Sequence, residues 1–247
     1  MTVVLKTEKL YKNFGALVVT HYVDFEVKNG ERRAVIGPNG AGKTTFFNLL
    51  AGQLSPTSGK IFFKEKEITS LPPYKRALTG IGRTFQKNNL FFNFTPLQNI
   101  IFAIQAKSEL NYNFYFRLSR YKNFEEEAVN ILRLVNLLDE KDTVAKTLSY
   151  GKQRQLEIGI ALASKPALLL LDEPTAGMSP AETNEMMDLI SSLPSNITII
   201  IIEHDMEVVF SVADKITVLY YGEIIAEGTK EEIKGNKKVQ EVYLGLA

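Results

Sequence analysis

Two aliphatic runs stand out from a chain that otherwise mixes apolar and polar positions. ALLLL (167–171) carries no polar residue and ITIIII (197–202) only Thr198, and both are strand-length. Runs of that size predict strands buried on both faces, far short of the roughly 18 apolar residues a spanning helix needs. The first eighty residues alternate or cluster β-branched positions. VVLKTEKLYKNF, YVDFEVKNG and RRAVIG predict strands, with Gly30 and Gly37 at their ends. TTFFNLLAG takes helical spacing and closes on Gly52 as a C-terminal cap. SPTSGKIFFKEKEI predicts a turn and a strand pair, Pro72-Pro73 starts a short helix, and GIGRTFQ (80–86) returns to extended chain.

From about Lys87 to Lys146 the strand signals fade and aromatics gather. In FEEEAVNILRLVNLL the spacing puts Ala128, Ile131, Leu132, Val135 and Leu138 on one helical face. Beyond it strand and helix alternate through ALLLLD, ITIIIIEH, KITVLYYG and IIAEG. Ser179-Pro180-Ala181-Glu182 and Thr229-Lys230-Glu231-Glu232 are capping boxes that start two of those helices. The pattern predicts an α/β fold, a parallel sheet covered on both faces with a helical lobe inserted into it. The expected organisation is one domain over 1–247, with a core lobe at 1–86 and 147–247 and a helical subdomain at about 87–146.

Composition narrows the chemistry. Lys plus Arg number 29 against 28 acidic residues, a net charge of +1, which argues against a strongly basic nucleic-acid binder. There is no cysteine, which excludes disulfides and thiolate metal sites and fits a reducing cytosol. Two histidines, His21 and His204, make a zinc site a poor expectation. Lys6, Glu8 and Lys9 interrupt the N-terminus, so it does not read as a signal peptide. The expected location is the cytosol, with any membrane attachment supplied by another chain.

The strongest motif is Gly37-Pro38-Asn39-Gly40-Ala41-Gly42-Lys43-Thr44-Thr45, which follows the strand RRAVIG and precedes a helix. Glycines at those positions let backbone N–H groups turn inward around phosphates, and the helix start points its positive end at them. In such a loop Lys43 reaches the terminal phosphates and the Thr44 hydroxyl ligates Mg²⁺. ALLLLDEP supplies the usual second carboxylate, Asp172, at the end of a buried strand, and Glu173 follows where it can polarise a water. His204 ends a second aliphatic strand of the same sheet, within reach of a γ-phosphate. Gln86 stands where the helical lobe begins.

A second anion site is suggested by LSYGKQRQLEIGIAL (148–162), a small polar turn running into a helix. Together these motifs resemble the ATP-binding cassette family, the nucleotide-binding subunits of ABC transporters, over essentially the whole chain. The resemblance implies a P-loop NTPase core with a mixed sheet and an N-terminal antiparallel β subdomain. It makes Leu148–Lys152 the signature motif, usually LSGGQ and here LSYGK, and TAGMSP (175–180) the D-loop. It makes Phe14 the ring that stacks on adenine, and it puts Gln86 at Mg²⁺ and at the groove for a permease's coupling helix. It also implies ATP and Mg²⁺ as ligands and a head-to-tail dimer, homo- or heteromeric. In that dimer Ser149 and Gly151 cap the γ-phosphate lying in the partner's loop.

Three positions depart from the family's pattern. Tyr150 replaces a glycine, so the backbone there does not require positive φ. Lys152 stands where glutamine is commonest. Ser179 replaces the D-loop aspartate, an equivalent N-cap without a carboxylate.

GIGRTFQKNNLF, LSYGKQRQLEIGIALA, IIEHDMEVV and VYLG resemble the subgroup serving branched-chain amino acid importers, with relatives for urea or lipopolysaccharide sharing much of this vocabulary. The implied partners are transmembrane permease subunits, a second cassette subunit and, indirectly, a solute-binding protein, at the cytoplasmic face of the membrane. NYNFYFRLSRYKNF (111–124) reads either as a loop packing its rings inward or as contact with a membrane subunit. The rival classes are a soluble cassette ATPase acting on ribosomes or DNA and an unrelated phosphate-loop kinase or GTPase. The chain has neither the paired cassettes nor the coiled coils of the first, and no Asn-Lys-x-Asp.

Overall fold

The structure is a computed structural model that describes residues 2–84, 90–107 and 118–244. In chain order its strands and helices are β1 Val3–Phe14, β2 Leu17–Lys28, β3 Arg32–Ile36, α1 Lys43–Ala51, β4 Ser58–Phe63, β5 Lys66–Glu67, α2 Pro73–Thr79 and β6 Ile81–Arg83. They continue with α3 Pro96–Lys107, α4 Leu118–Leu134, α5 Tyr150–Ala163, β7 Leu168–Asp172, α6 Pro180–Ser192 and β8 Thr198–Ile202. The last are α7 Met206–Val212, β9 Lys215–Tyr220, β10 Glu223–Gly228, α8 Lys230–Lys234 and α9 Lys237–Leu244. The chain divides into two compact units.

The first unit, Met1–Ile81 with Ala167–Glu173 and Pro194–Ala247, carries the sheets. One is antiparallel, in the order β2-β1-β4-β5. The other runs β10-β9-β3-β8-β7, continued past β7 by the strand that begins at Ile81. Its central pairs β9-β3, β3-β8 and β8-β7 are parallel, and the β10-β9 pair is antiparallel. All five residues of β7 and all five of β8 are buried, as their unbroken aliphatic runs require. Helix α1 packs against β2 of one sheet and β7 of the other. Its Phe46 and Phe47 are fully buried, and Phe46 meets Phe25 edge-on at 5.2 Å.

The far end of α1 is closed by one side chain. The Arg76 guanidinium, 1% exposed, donates to the carbonyls of Leu49 at 2.6 Å, Leu50 at 2.7 Å, Leu71 at 2.9 Å and Thr69 at 2.9 Å. Two of those carbonyls are the orphan acceptors every helix leaves in its last turn. Burial lowers the Arg76 pKa to about 10, still cationic at neutral pH.

The second unit, Gly82–Pro166 with Pro174–Leu193, is helical apart from the end of β6. Helix α5 packs against α3, α4 and α6. Ala128, Ile131, Leu132 and Val135 are buried as their spacing predicts, but Leu138 is only half-buried and Leu137 takes its place at 0% exposure. The reason is local. Helix α4 stops at Leu134 and Asn136 turns at φ 56°, which resets the helical phase before residue 138. The strand foreseen in YVDFEVKNG starts earlier, at Leu17, because Gly15 turns the chain at φ 59° and β2 pairs with β1 from the hairpin onward. Among the described residues no helix is long and apolar enough to cross a membrane.

Candidate functional site

The loop from Gly37 to Gly42 connects β3 to α1, and its backbone leaves the helix start open. Gly42 is the N-cap of α1 at φ 99°, with no side chain capping the first turn. A Cβ at Gly42 would fall 2.4 Å from the Val19 carbonyl oxygen, so only glycine fits there. Gly40, at φ 81°, has nothing within 4 Å of where a Cβ would stand. An uncapped helix start above open space, with a lysine at its first position, fits an anion. The Lys43 ammonium, 9% exposed, folds back to donate to Gly37 O at 2.6 Å and Pro38 O at 3.0 Å. Burial pushes its pKa down, and the charge of Glu173 acts in the opposite sense. Pro38 and Thr45 are half-buried, Asn39 and Thr44 are exposed, and Ala41 is buried.

Asp172 and Glu173 stand at the end of β7, and the charge of Glu173 acts on Lys43. Asp172, 2% exposed, is paired in the ladder with Ile202 of β8. Glu173 then takes φ 47°, a left-handed conformation that a side-chain-bearing residue holds only under constraint. The constraint is the bond from the Glu173 N–H to Ile202 O at 3.0 Å. The carboxylate stays 29% exposed, and its Oε1 lies 4.0 Å from Nδ1 of His204, which leaves β8 just past its end. The sheet thus brings Lys43, Glu173 and His204 into one neighbourhood. The Thr44 hydroxyl and Asp172 carboxylate are hard oxygen donors of the kind Mg²⁺ takes. Sequence reading passed over Glu203. Its side chain is fully buried beside His204, whose backbone N–H it accepts at 3.1 Å.

Phe14 ends β1 with 48% of its surface exposed and Lys12 Nζ 5.0 Å from the ring centre. Gln86 lies outside the described residues.

The second predicted anion site belongs to the helical unit. Ser149 is the N-cap of α5 and accepts from the Lys152 N–H. Tyr150 needs no positive φ, and its hydroxyl accepts from Arg154 Nε at 3.0 Å. The Lys152 ammonium is bonded to Glu140. The Gly151 N–H is engaged too, by Glu182 Oε1 at 3.0 Å. Sequence reading had given Glu182 only the capping box of α6, which is present.

Two of the aromatics that gather just after Lys87 form a cluster with Phe102, to which sequence reading gave no role. Phe91, Phe94 and Phe102 pack edge-on with ring centres 5.2–5.9 Å apart, and all three remain exposed. Of the segment 111–124, residues 111–117 lie outside the described residues.

Residues 20–176 match the family described as ABC transporter. The chain belongs to the ABC transporter family. The architecture is that of an ABC ATPase cassette, an antiparallel sheet and a mixed sheet with helices. Similar proteins include the high-affinity branched-chain amino acid transport ATP-binding protein BraF of Pseudomonas aeruginosa. It is 40% identical over 253 residues, covering 99% of this cassette and 98% of that protein. The corresponding LivG of Escherichia coli is 38% identical over 251 residues, covering 98% of each. A solved ATP-binding cassette of an ABC transporter in its ADP conformation gives a TM-score of 0.86 at 32% identity, covering 99% of this cassette and 100% of that chain.

Proposed function

We propose that this cassette binds ATP with Mg²⁺ and hydrolyses it to drive a membrane importer of branched-chain or related amino acids. The observation that carries the reading is the uncapped start of α1 with Lys43 at its first position, Glu173 close enough to act on that lysine's charge, and His204 4.0 Å from Glu173. On binding, Phe14 stacks on adenine, the N–H groups of Gly37–Thr45 wrap the phosphates, and Lys43 exchanges its loop carbonyls for phosphate oxygens. Thr44, Asp172 and Gln86 would hold Mg²⁺, which would supply neutralisation of phosphate charge. Glu173 takes the proton of the attacking water, and His204 hydrogen-bonds the γ-phosphate.

Two cassettes pack head to tail, identical or of two kinds, so that Ser149 and Gly151 of each cap the other's nucleotide. A helix start favours an anion by about 0.3–1 kcal/mol at an exposed site, up to about 2 when partly buried. That is too little to capture free ATP and enough to close on ATP already held. Hydrolysis then reopens the pair. The exposed Phe91–Phe94–Phe102 cluster is an apolar patch suited to a permease segment at the cytoplasmic face. A solute-binding protein acts through that permease, and nucleic acid has no part. The cargo rests on the relatives' names and on sequence resemblance.

The test is Glu173→Gln. It should bind ATP, hydrolyse it about 10²–10⁴ times more slowly, the usual range for such a base, and accumulate as an ATP-dependent dimer in size-exclusion chromatography. Undiminished turnover would remove Glu173 from the role.

A further inference from the structure

Glu182 reaches from the first turn of α6 to the start of α5. Its Oε1 accepts the Gly151 N–H at 3.0 Å across 31 residues of chain, while Oε2 accepts the Ser179 N–H at 3.1 Å and the Ser179 hydroxyl at 2.9 Å. The Ser149 side chain bonds it as well. The contact is close: a Cβ at residue 151 would stand 2.9 Å from both Cγ and Oε1 of Glu182, so a larger residue there would have to shift that side chain. Its backbone and hydroxyl donors, Ser179 N–H first and then Gly151 N–H, hold the carboxyl down at about 2, so it is an anion at any working pH.

The groups that the clamp offers to a γ-phosphate therefore already carry an anion belonging to their own chain. A carboxylate and a phosphate cannot both occupy one N–H, since like charges at hydrogen-bond distance repel. We propose that Glu182 is a resident placeholder, which the γ-phosphate of the partner's ATP must displace for the dimer to close and which returns when that phosphate is gone. The inference rests on the head-to-tail reading above. The carboxylate keeps the Gly151 amide satisfied in the open subunit, opposes closure and favours reopening. Because it also holds the Ser179 N–H, its release loosens the start of α6 in the same movement.

The experiment measures ATP·Mg²⁺-dependent dimerisation by sedimentation, in the Glu173→Gln background. Adding Glu182→Gln removes the charge and keeps an acceptor oxygen. It should tighten the dimer by roughly three- to tenfold, the effect of relieving one partly exposed like-charge contact at each of the two nucleotide sites. Ser179→Ala weakens the α6 cap and leaves the charge, and should not tighten it. A purely structural cap predicts no tightening, an unchanged or weaker dimer in Glu182→Gln, and that result overturns the placeholder. If the Glu173→Gln parent itself forms no dimer with ATP, the head-to-tail reading falls and the placeholder with it. In the ATP-free chain, Glu182→Ala should speed hydrogen exchange at the Gly151 amide, and unaltered exchange would overturn the contact.

Discussion

The starts of α1 and α5 are two helix N-termini in one cassette, and they treat an anion differently. At α1 the cap is a glycine with no side chain to offer, the space above Gly40 is open, and a buried lysine waits on loop carbonyls. At α5 the cap is Ser149, the cation Lys152 is paired with Glu140, and the Gly151 N–H is taken by Glu182. The first is equipped to hold a phosphate alone. The second is satisfied by its own chain, and on the proposed head-to-tail reading a stronger anion, brought by another subunit, makes it change partners. The lesson is that a helix dipole specifies little by itself; the charges placed around it decide whether it captures or only closes.

Breaking the comparison from the α5 side should have the largest effect. Ser149→Arg puts a bulky cation at the cap and should abolish ATPase activity while leaving the nucleotide affinity of the single subunit nearly intact, as read by parallel turnover and equilibrium-binding assays. Loss of binding in that variant would mean the turn acts within one subunit. From the α1 side, Lys43→Ala should weaken ATP binding by about 10–100-fold, the worth of a charged hydrogen bond of about 1.5–3 kcal/mol. Its fold should persist, since Lys43 donates only to two loop carbonyls.

The smallest effect sharpens the role of Glu182. Its pKa falls from 4.5 to about 2 in the folded chain. A carboxyl depressed on folding adds stability that is present above its unfolded pKa and lost as pH falls through the folded one. The melting advantage of the wild type over Glu182→Gln should be complete above pH 4.5, shrink below it and vanish near pH 2. An advantage constant across that window would assign it to shape instead of charge.

Much of this was legible in the sequence, for physical reasons that differ by element. Strands β7 and β8 announced themselves because each holds four consecutive aliphatic residues, and runs that short have few alternatives to a doubly covered sheet. Both capping boxes were visible because the bonds they make span three residues. The phosphate loop was visible because its glycines, lysine and threonine are contiguous. What stayed hidden depended on distance or on a single backbone angle. The Gly151–Glu182 bond joins residues 31 apart, and the Lys152–Glu140 pair joins residues 12 apart. Leu137 replaced Leu138 in the core because of one positive φ at Asn136. The exposed Phe91–Phe94–Phe102 cluster could not be told from core by spacing, since aromatic residues at helical intervals serve either end.

The central claim is that one copy of the chain does not complete a reaction centre. Its most direct test is the ATPase rate per subunit over a dilution series, with the oligomeric state followed in the same samples. The account predicts that the specific rate falls as dimers dissociate. A preparation that stays monomeric and keeps its full rate at every concentration would contradict it.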